Sequence, residues 1–283
     1  MSKRGLVLEG GAMRGLYTVG ILDFFMEKSL EFDGIAGVSA GAAFGCNFKS
    51  RQPGRALRYN KRFCRDKRYC SWSSWWKTGD LFGAEFCYHE LPDKLDPFDV
   101  RTFEENKCDF YLVCTDVHTG KPHYHKCTKA DSKCFEWMRA SASMPLVSNI
   151  VKVGNGEYLD GALGDSIPLR FMENKKFSKN VVILTQPEGY IKKPSKALFL
   201  LRWLLRKYPA LVKAVETRHI RYNETLKYIE SQEKKELVFV FRPESPLPVG
   251  RICHDPELLQ ETYNRGYRQA EEKWEDLKAF LSL

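Results

Sequence analysis

Ser39 stands in Gly37-Val38-Ser39-Ala40-Gly41, a hydroxyl with glycine two positions away on either side. That spacing suits a nucleophile elbow, where a strand ends, the serine takes a strained conformation and a helix starts at once. Any side chain at the flanking glycines would collide with the turn. A second chemistry-bearing stretch is Glu9-Gly10-Gly11-Ala12-Met13-Arg14-Gly15. As a dinucleotide loop it fails because Ala12 replaces the second glycine and Asp33 lies at the wrong end of the next strand. As a P-loop it lacks the Gly-Lys-Ser/Thr. As an oxyanion hole it offers the amides of Gly10, Gly11 and Ala12 with the charge of Arg14, and gives Ser39 a purpose.

A serine nucleophile needs a base, and the chain offers two kinds. One is Asp160, in Asp160-Gly161-Ala162, where glycine turns the chain and leaves the carboxylate at a strand end. The same dipeptide also suits a plain hairpin turn. The other is a histidine late in the chain, with His219 and His254 following an acid in the hydrolase order. His123 and His125 share one face of a predicted strand, which suits a hairpin edge better than a metal site. No metal ligation follows from the cysteine spacing either, since none of the nine forms a C-x-x-C pair. Most of the nine are expected to be reduced, buried small residues.

The elements that must hold these groups begin as β-α-β-α. Residues 4–9 read as a strand, 16–29 as a helix, 34–38 as a buried strand, and a helix opens after Ser39. Strands joined by a helix run parallel with a right-handed crossover, so both loops fall at the carboxyl edge of one sheet. Further strands are predicted at 110–117, 121–127, 181–186 and 237–243. Helices are predicted at 54–66, 131–142, 168–174, 195–230 (interrupted at Pro209) and 256–281. Asp255 and Pro256 give the last a start signal. Leu259, Tyr263, Gly266, Ala270, Trp274, Leu277 and Leu281 form its apolar stripe, which should pack on the body.

Taken together, three motifs resemble the patatin-like phospholipase family: Gly10 to Gly15, Gly37 to Gly41, and Asp160 to Ala162, in the family's order. The stretches 113–122, 139–147 and 165–169 are similar as well, so the resemblance covers Gly5 to Gln186 and is closest to bacterial cytoplasmic members. It implies an α/β fold of three α/β/α layers with a mostly parallel central sheet, a catalytic core at 5–190, and a mainly helical C-terminal extension at 191–283. It further implies a lipid acyl hydrolase, of phospholipase A or lysophospholipase type, with Ser39 as nucleophile and Asp160 as its direct base. Gly10, Gly11, Ala12 and Arg14 become the oxyanion loop, supported by Gly15, Gly37, Gly41 and Gly161, and no metal or cofactor is expected. The departure is Ala12, where the family often has glycine. The amide survives the added methyl as long as the backbone there does not require a positive φ. Asp160 should be partly desolvated and within hydrogen-bond reach of Ser39, because an exposed carboxylate is a poor base for a hydroxyl. A Ser39-Asp160-His254 triad and a non-catalytic lipid-binding protein on the same fold are the rival readings.

The net charge of +9 is unevenly spread. Eight basic residues between Arg51 and Arg68 face Asp66 alone, and nine between Lys192 and Arg221 face Glu216 alone. Such clusters attract anions, but neither carries a nucleic-acid motif, so no nucleic-acid partner is expected. The expected substrate is a phospholipid or lysophospholipid. Residues 192–215 mix Leu, Phe and Trp with basic flanks, which fits peripheral contact with an anionic membrane, a lid, or packing on the core. The opening residues lack an apolar run long enough for a signal peptide, which favours the cytoplasm.

Overall fold

The computed structural model describes residues 2–283. In chain order they form β1 (Lys3–Leu8), α1 (Leu16–Glu27), β2 (Gly34–Val38), α2 (Ala40–Lys49), α3 (Arg55–Phe63), α4 (Trp72–Thr78) and α5 (Val100–Glu105). There follow β3 (Asp109–Asp116), β4 (Pro122–Lys126), α6 (Ser132–Ala142), β5 (Val151–Val153), β6 (Gly156–Asp160), α7 (Leu169–Asn174) and β7 (Phe177–Ile183). The chain ends with α8 (Leu198–Leu204), α9 (Pro209–Glu233), β8 (Val238–Phe241), α10 (Pro256–Glu272) and α11 (Trp274–Leu281). A wide-turned helical segment, Phe86–Leu95, lies between α4 and α5.

The strands join in the order β5-β6-β3-β2-β1-β7-β8, with β4 also on β3. The β3-β2-β1-β7-β8 run is parallel, and β4, β5 and β6 are antiparallel. Period-two alternation explains the layers. Leu6, Leu8, Ile35, Phe110, Leu112, Val181 and Ile183 face one way, onto α1, α2, α6 and α10. Val7, Ala36, Tyr111 and Val182 face the other way, onto α7 and α9. The fold is α/β with a mostly parallel central sheet covered on both faces, and its C-terminal region is helical.

The 191–283 region also supplies β8, parallel to β7, so it extends the sheet itself. Its α10 lies against α1 with backbones in contact. A side chain at Gly20 would meet the backbone nitrogen of Tyr267 at 2.7 Å, and one at Gly266 would strike the backbone of Tyr17. Leu259, Ala270, Leu277 and Leu281 of the stripe are buried as expected, but the helix is not continuous: α10 closes at Lys273 and α11 starts at Trp274. The helix expected at 195–230 is interrupted at Pro209 as predicted, since α8 stops at Leu204 and α9 begins at Pro209. The short helices α4 and α5 escape sequence periodicity. They are fixed by their caps, Ser71 accepting the amide of Ser74 and Asp99 that of Thr102. Cys127 and Cys134 are joined in a disulfide, an exception to the reduced cysteines expected, and the other seven are free.

The α1–α10 crossing yields a prediction. Gly266→Ala inserts a methyl where two backbones touch, and should lower folding stability by about 1–3 kcal/mol, read as a shifted midpoint in chemical denaturation.

Candidate active site

Register on β3 brings Ser39 and Asp160 together. Val38, the residue before Ser39, pairs with Val113, and the next position on β3, Cys114, pairs with Asp160. Leu8 at the end of β1 pairs with Gly37, which sets the glycine loop beside the same turn. Ser39 has φ 55° and ψ −120°, the strained conformation of an elbow between β2 and α2. Gly37 and Gly41 allow the close passage: a side chain on the first would meet the Gly41 carbonyl at 2.6 Å, and one on the second the Leu8 carbonyl at 2.5 Å. Gly161 abuts the backbone of Val113, and Gly15 packs on the ring of Phe44.

The C-terminal end of α6 pins both groups. The Ser39 amide donates to the Ser141 hydroxyl at 2.9 Å, and that hydroxyl donates to the Val113 carbonyl at 2.6 Å. The Asp160 amide donates to the Ser143 carbonyl at 2.8 Å. These serines lie in the 139–147 stretch, where sequence alone assigns them no role.

Asp160 is 1% exposed, and its carboxylate accepts the Ala162 amide at 2.8 Å. Burial pushes its pKa above the ordinary carboxylate value, opposed by the positive charge of Arg218, the Ala162 amide, the Ser39 side chain and Arg251. Desolvation is therefore the dominant influence on its pKa.

The glycine loop lies directly on the elbow, since a side chain at Gly10 would meet Cβ of Ser39 at 2.8 Å. The amides of Gly10, Gly11 and Ala12 have no acceptor among the described residues. Below the loop, the buried Glu9 carboxylate accepts from the Thr185 amide (2.6 Å) and the Tyr222 hydroxyl (2.6 Å), and Thr185 Oγ1 donates to the Gly10 carbonyl at 3.1 Å. Ala12 has φ 49°, so the condition under which alanine replaces glycine without strain is not met. The loop keeps its amide there at a local conformational cost of about 1 kcal/mol.

A cavity opens from Ser39 toward Phe44, Tyr59, Tyr88, Leu91 and Met138, between α2, α3, α6 and the wide-turned segment. Its apolar lining suits a hydrocarbon chain. The His254 ring hydrogen-bonds the Cys64 carbonyl, and no histidine is among the groups that shift Asp160. His123 and His125 stack on Trp137, with ring centroids 5.1 and 4.2 Å away, and burial lowers the His125 pKa to about 4. No group of three metal-ligating side chains occurs among the described residues.

Much of the 51–68 basic run is engaged internally: Arg55 and Arg58 hold Asp96, and Arg68 holds Asp66 and Glu90. In the 192–215 segment Leu201, Leu205, Leu211 and Val215 pack inward, while Phe199 and Trp203 are 84% and 60% exposed. On α4, Trp72 and Trp76 are also exposed. No helix among the described residues is long and apolar enough to cross a membrane.

Positioning by Ser141 is testable. Ser141→Ala removes a buried acceptor from the Ser39 amide, and should lower kcat about tenfold or more with little change in KM in an ester assay, because the elbow loosens while the cavity stays intact.

A family model described as "Patatin-like phospholipase" matches residues 6–172, and one described as a domain of unknown function matches 208–282. The chain is 29% identical over 272 residues to an uncharacterized protein, YjjU, of Escherichia coli K12, covering 92% of this chain and 74% of that one. It is 27% identical over 181 residues to "Lysophospholipase nte1" of Aspergillus terreus, covering 60% of this chain and 11% of the other. It is 25% identical over 187 residues to a patatin-like phospholipase domain-containing protein of Caenorhabditis elegans, covering 60% and 12%. The last two are thus far longer proteins, of which this chain spans only a small part.

Proposed function

Because the chain belongs to the patatin-like phospholipase family, whose members are lipid acyl hydrolases, we propose that it is a serine ester hydrolase of acyl lipids working through Ser39 and Asp160. The observation that carries the reading is the buried Asp160 carboxylate, brought beside the Ser39 turn by adjacent pairings on β3, with loop amides alongside that have no acceptor among the described residues. Asp160 takes the Ser39 proton as Oγ attacks the ester carbonyl, and the Gly10, Gly11 and Ala12 amides receive the oxyanion. Collapse forms the Ser39 acyl ester and releases the alcohol or lysolipid, with the proton returned to the leaving oxygen. Water then attacks the acyl-enzyme, with Asp160 again as base, and free fatty acid leaves.

The apolar cavity beside Ser39 supports an acyl chain as the group transferred, which fits a phospholipid or lysophospholipid substrate. The lysophospholipase name of one relative agrees with this reading. The exposed Phe199 and Trp203, on a basic segment, support peripheral contact with an anionic membrane on the cytoplasmic side.

Two experiments test the dyad. Ser39→Ala should reduce release of fatty acid from a lipid panel by about 10³-fold or more, whereas His254→Ala should stay within about threefold of wild type. A loss of about 10³-fold in His254→Ala would instead establish the triad. Asp160 serves as base only when ionised, and its pKa is raised. Activity must therefore fall as pH drops through a value above the ordinary carboxylate range. The acid limb of kcat/KM, which reports the free enzyme, checks this, and a limb at or below that range removes Asp160 as base.

A further inference from the structure

Three cations from the C-terminal region converge on the elbow and meet Arg14 there. The Arg218 guanidinium on α9 donates from Nε to the Ala162 carbonyl at 2.7 Å, two residues past Asp160. Arg251, exposed in the loop between β8 and α10, accepts the Met13 amide at its carbonyl (3.4 Å), which holds its backbone against the glycine loop. Lys192 is held by Asn223, which accepts the Lys192 amide at 2.9 Å and donates to its carbonyl at 3.0 Å. The Lys192 ammonium sits 4.4 Å from the centroid of the Tyr222 ring, and the Tyr222 hydroxyl donates to Glu9 below the loop. Arg14 follows directly from the loop, and its Nε is buried without a hydrogen-bond partner.

The four are close enough to sense one another. Burial, with the charges of Arg218, Arg251 and Arg14, lowers the Lys192 pKa to about 8 against the opposing pull of Glu9. Two carboxylates, Glu9 and Asp160, share this space, and Glu9 is already taken by Thr185 and Tyr222. Among the described residues no carboxylate comes within ion-pair distance of any of the four. Mutual repulsion of this kind is costly unless an anion is brought in. Guanidinium groups present planar forks of donors, which match the several oxygens of a phosphate.

We propose that Arg14, Lys192, Arg218 and Arg251 form a subsite for the phosphate of an acyl lipid, next to the ester-cleaving pair and opposite its apolar cavity. The region matched only by a domain of unknown function supplies Arg218 and Arg251, so completing this subsite is one task of that region. The lipid part of the proposal rests on the acyl hydrolase reading, whereas the anion site stands without it.

The test uses the full chain carrying Ser39→Ala, so that nothing turns over. Glycerol phosphate and inorganic phosphate are titrated by calorimetry into this protein and into the same protein with Lys192→Gln and Arg251→Gln, with thermal unfolding confirming that both are folded. Glycerol phosphate should bind, more tightly than inorganic phosphate, and the double change should weaken it tenfold or more. Absence of binding, or binding indifferent to the double change, overturns the subsite. Equal binding of the two anions overturns its assignment to a lipid headgroup in favour of free phosphate. In the active chain, the ratio of kcat/KM for a lysophospholipid to that for p-nitrophenyl butyrate should fall tenfold or more in the double variant, and an unchanged ratio overturns the proposal. Failure of the hydrolase reading is seen separately, as p-nitrophenyl ester cleavage that Ser39→Ala leaves intact.

Discussion

The hydroxyl of Ser141 accepts the amide proton of Ser39 and passes its own proton toward the carbonyl of Val113. This buried hydrogen-bonded chain ties the strained elbow to β3, the strand on which Asp160 is also registered. Without it the Ser39 amide would lie buried and unsatisfied, at a cost of about 1–3 kcal/mol on top of the positive-φ strain. Because Ser143 holds the Asp160 amide from the same end of α6, one helix terminus sets the distance between the two groups. The sheet supplies coarse position and α6 supplies the fine position. Geometry of this kind is inherited from rigid elements rather than from loops.

Electrostatics divide the site into unlike halves. On one side of Ser39 the lining is aromatic and aliphatic. On the other, Glu9 lies buried under the glycine loop, with Tyr222 and Thr185 satisfying its oxygens and cations from α9 and its neighbours around it. Asp160 sits at the boundary, where burial raises its pKa and Arg218 restrains the rise. A carboxylate desolvated in this way is more basic than an exposed one. The C-terminal region thus reaches the site electrostatically as well as structurally, adding β8 to the sheet and packing α10 on α1.

The apolar runs of β1, β2 and β7, the period-3.6 helices and the two loops at strand ends were legible along the chain, because each is a local pattern with a local physical cause. The cap of α10 at Asp255 and Pro256 was legible for the same reason. The break of the last helix was not: the stripe from Leu259 to Leu281 keeps its period across Lys273, and only packing on α1 and the sheet edge bends it there. Nor was the strain at Ala12, since a backbone angle is imposed by what the loop must reach and not by the residue that occupies it.

A serine on a strand-to-helix turn beside a glycine loop was legible in the chain, because the small residues at those spacings sit between an apolar run and a helical one. Only the tertiary structure decided which distant groups meet there. Asp160 was named by the motif order, but Ser141, Arg218 and Arg251 were not; all are remote from Ser39 along the chain, and their approach depends on strand register and helix docking. Contacts of that range are set by burial of the whole core, a cooperative quantity that no short stretch of residues encodes.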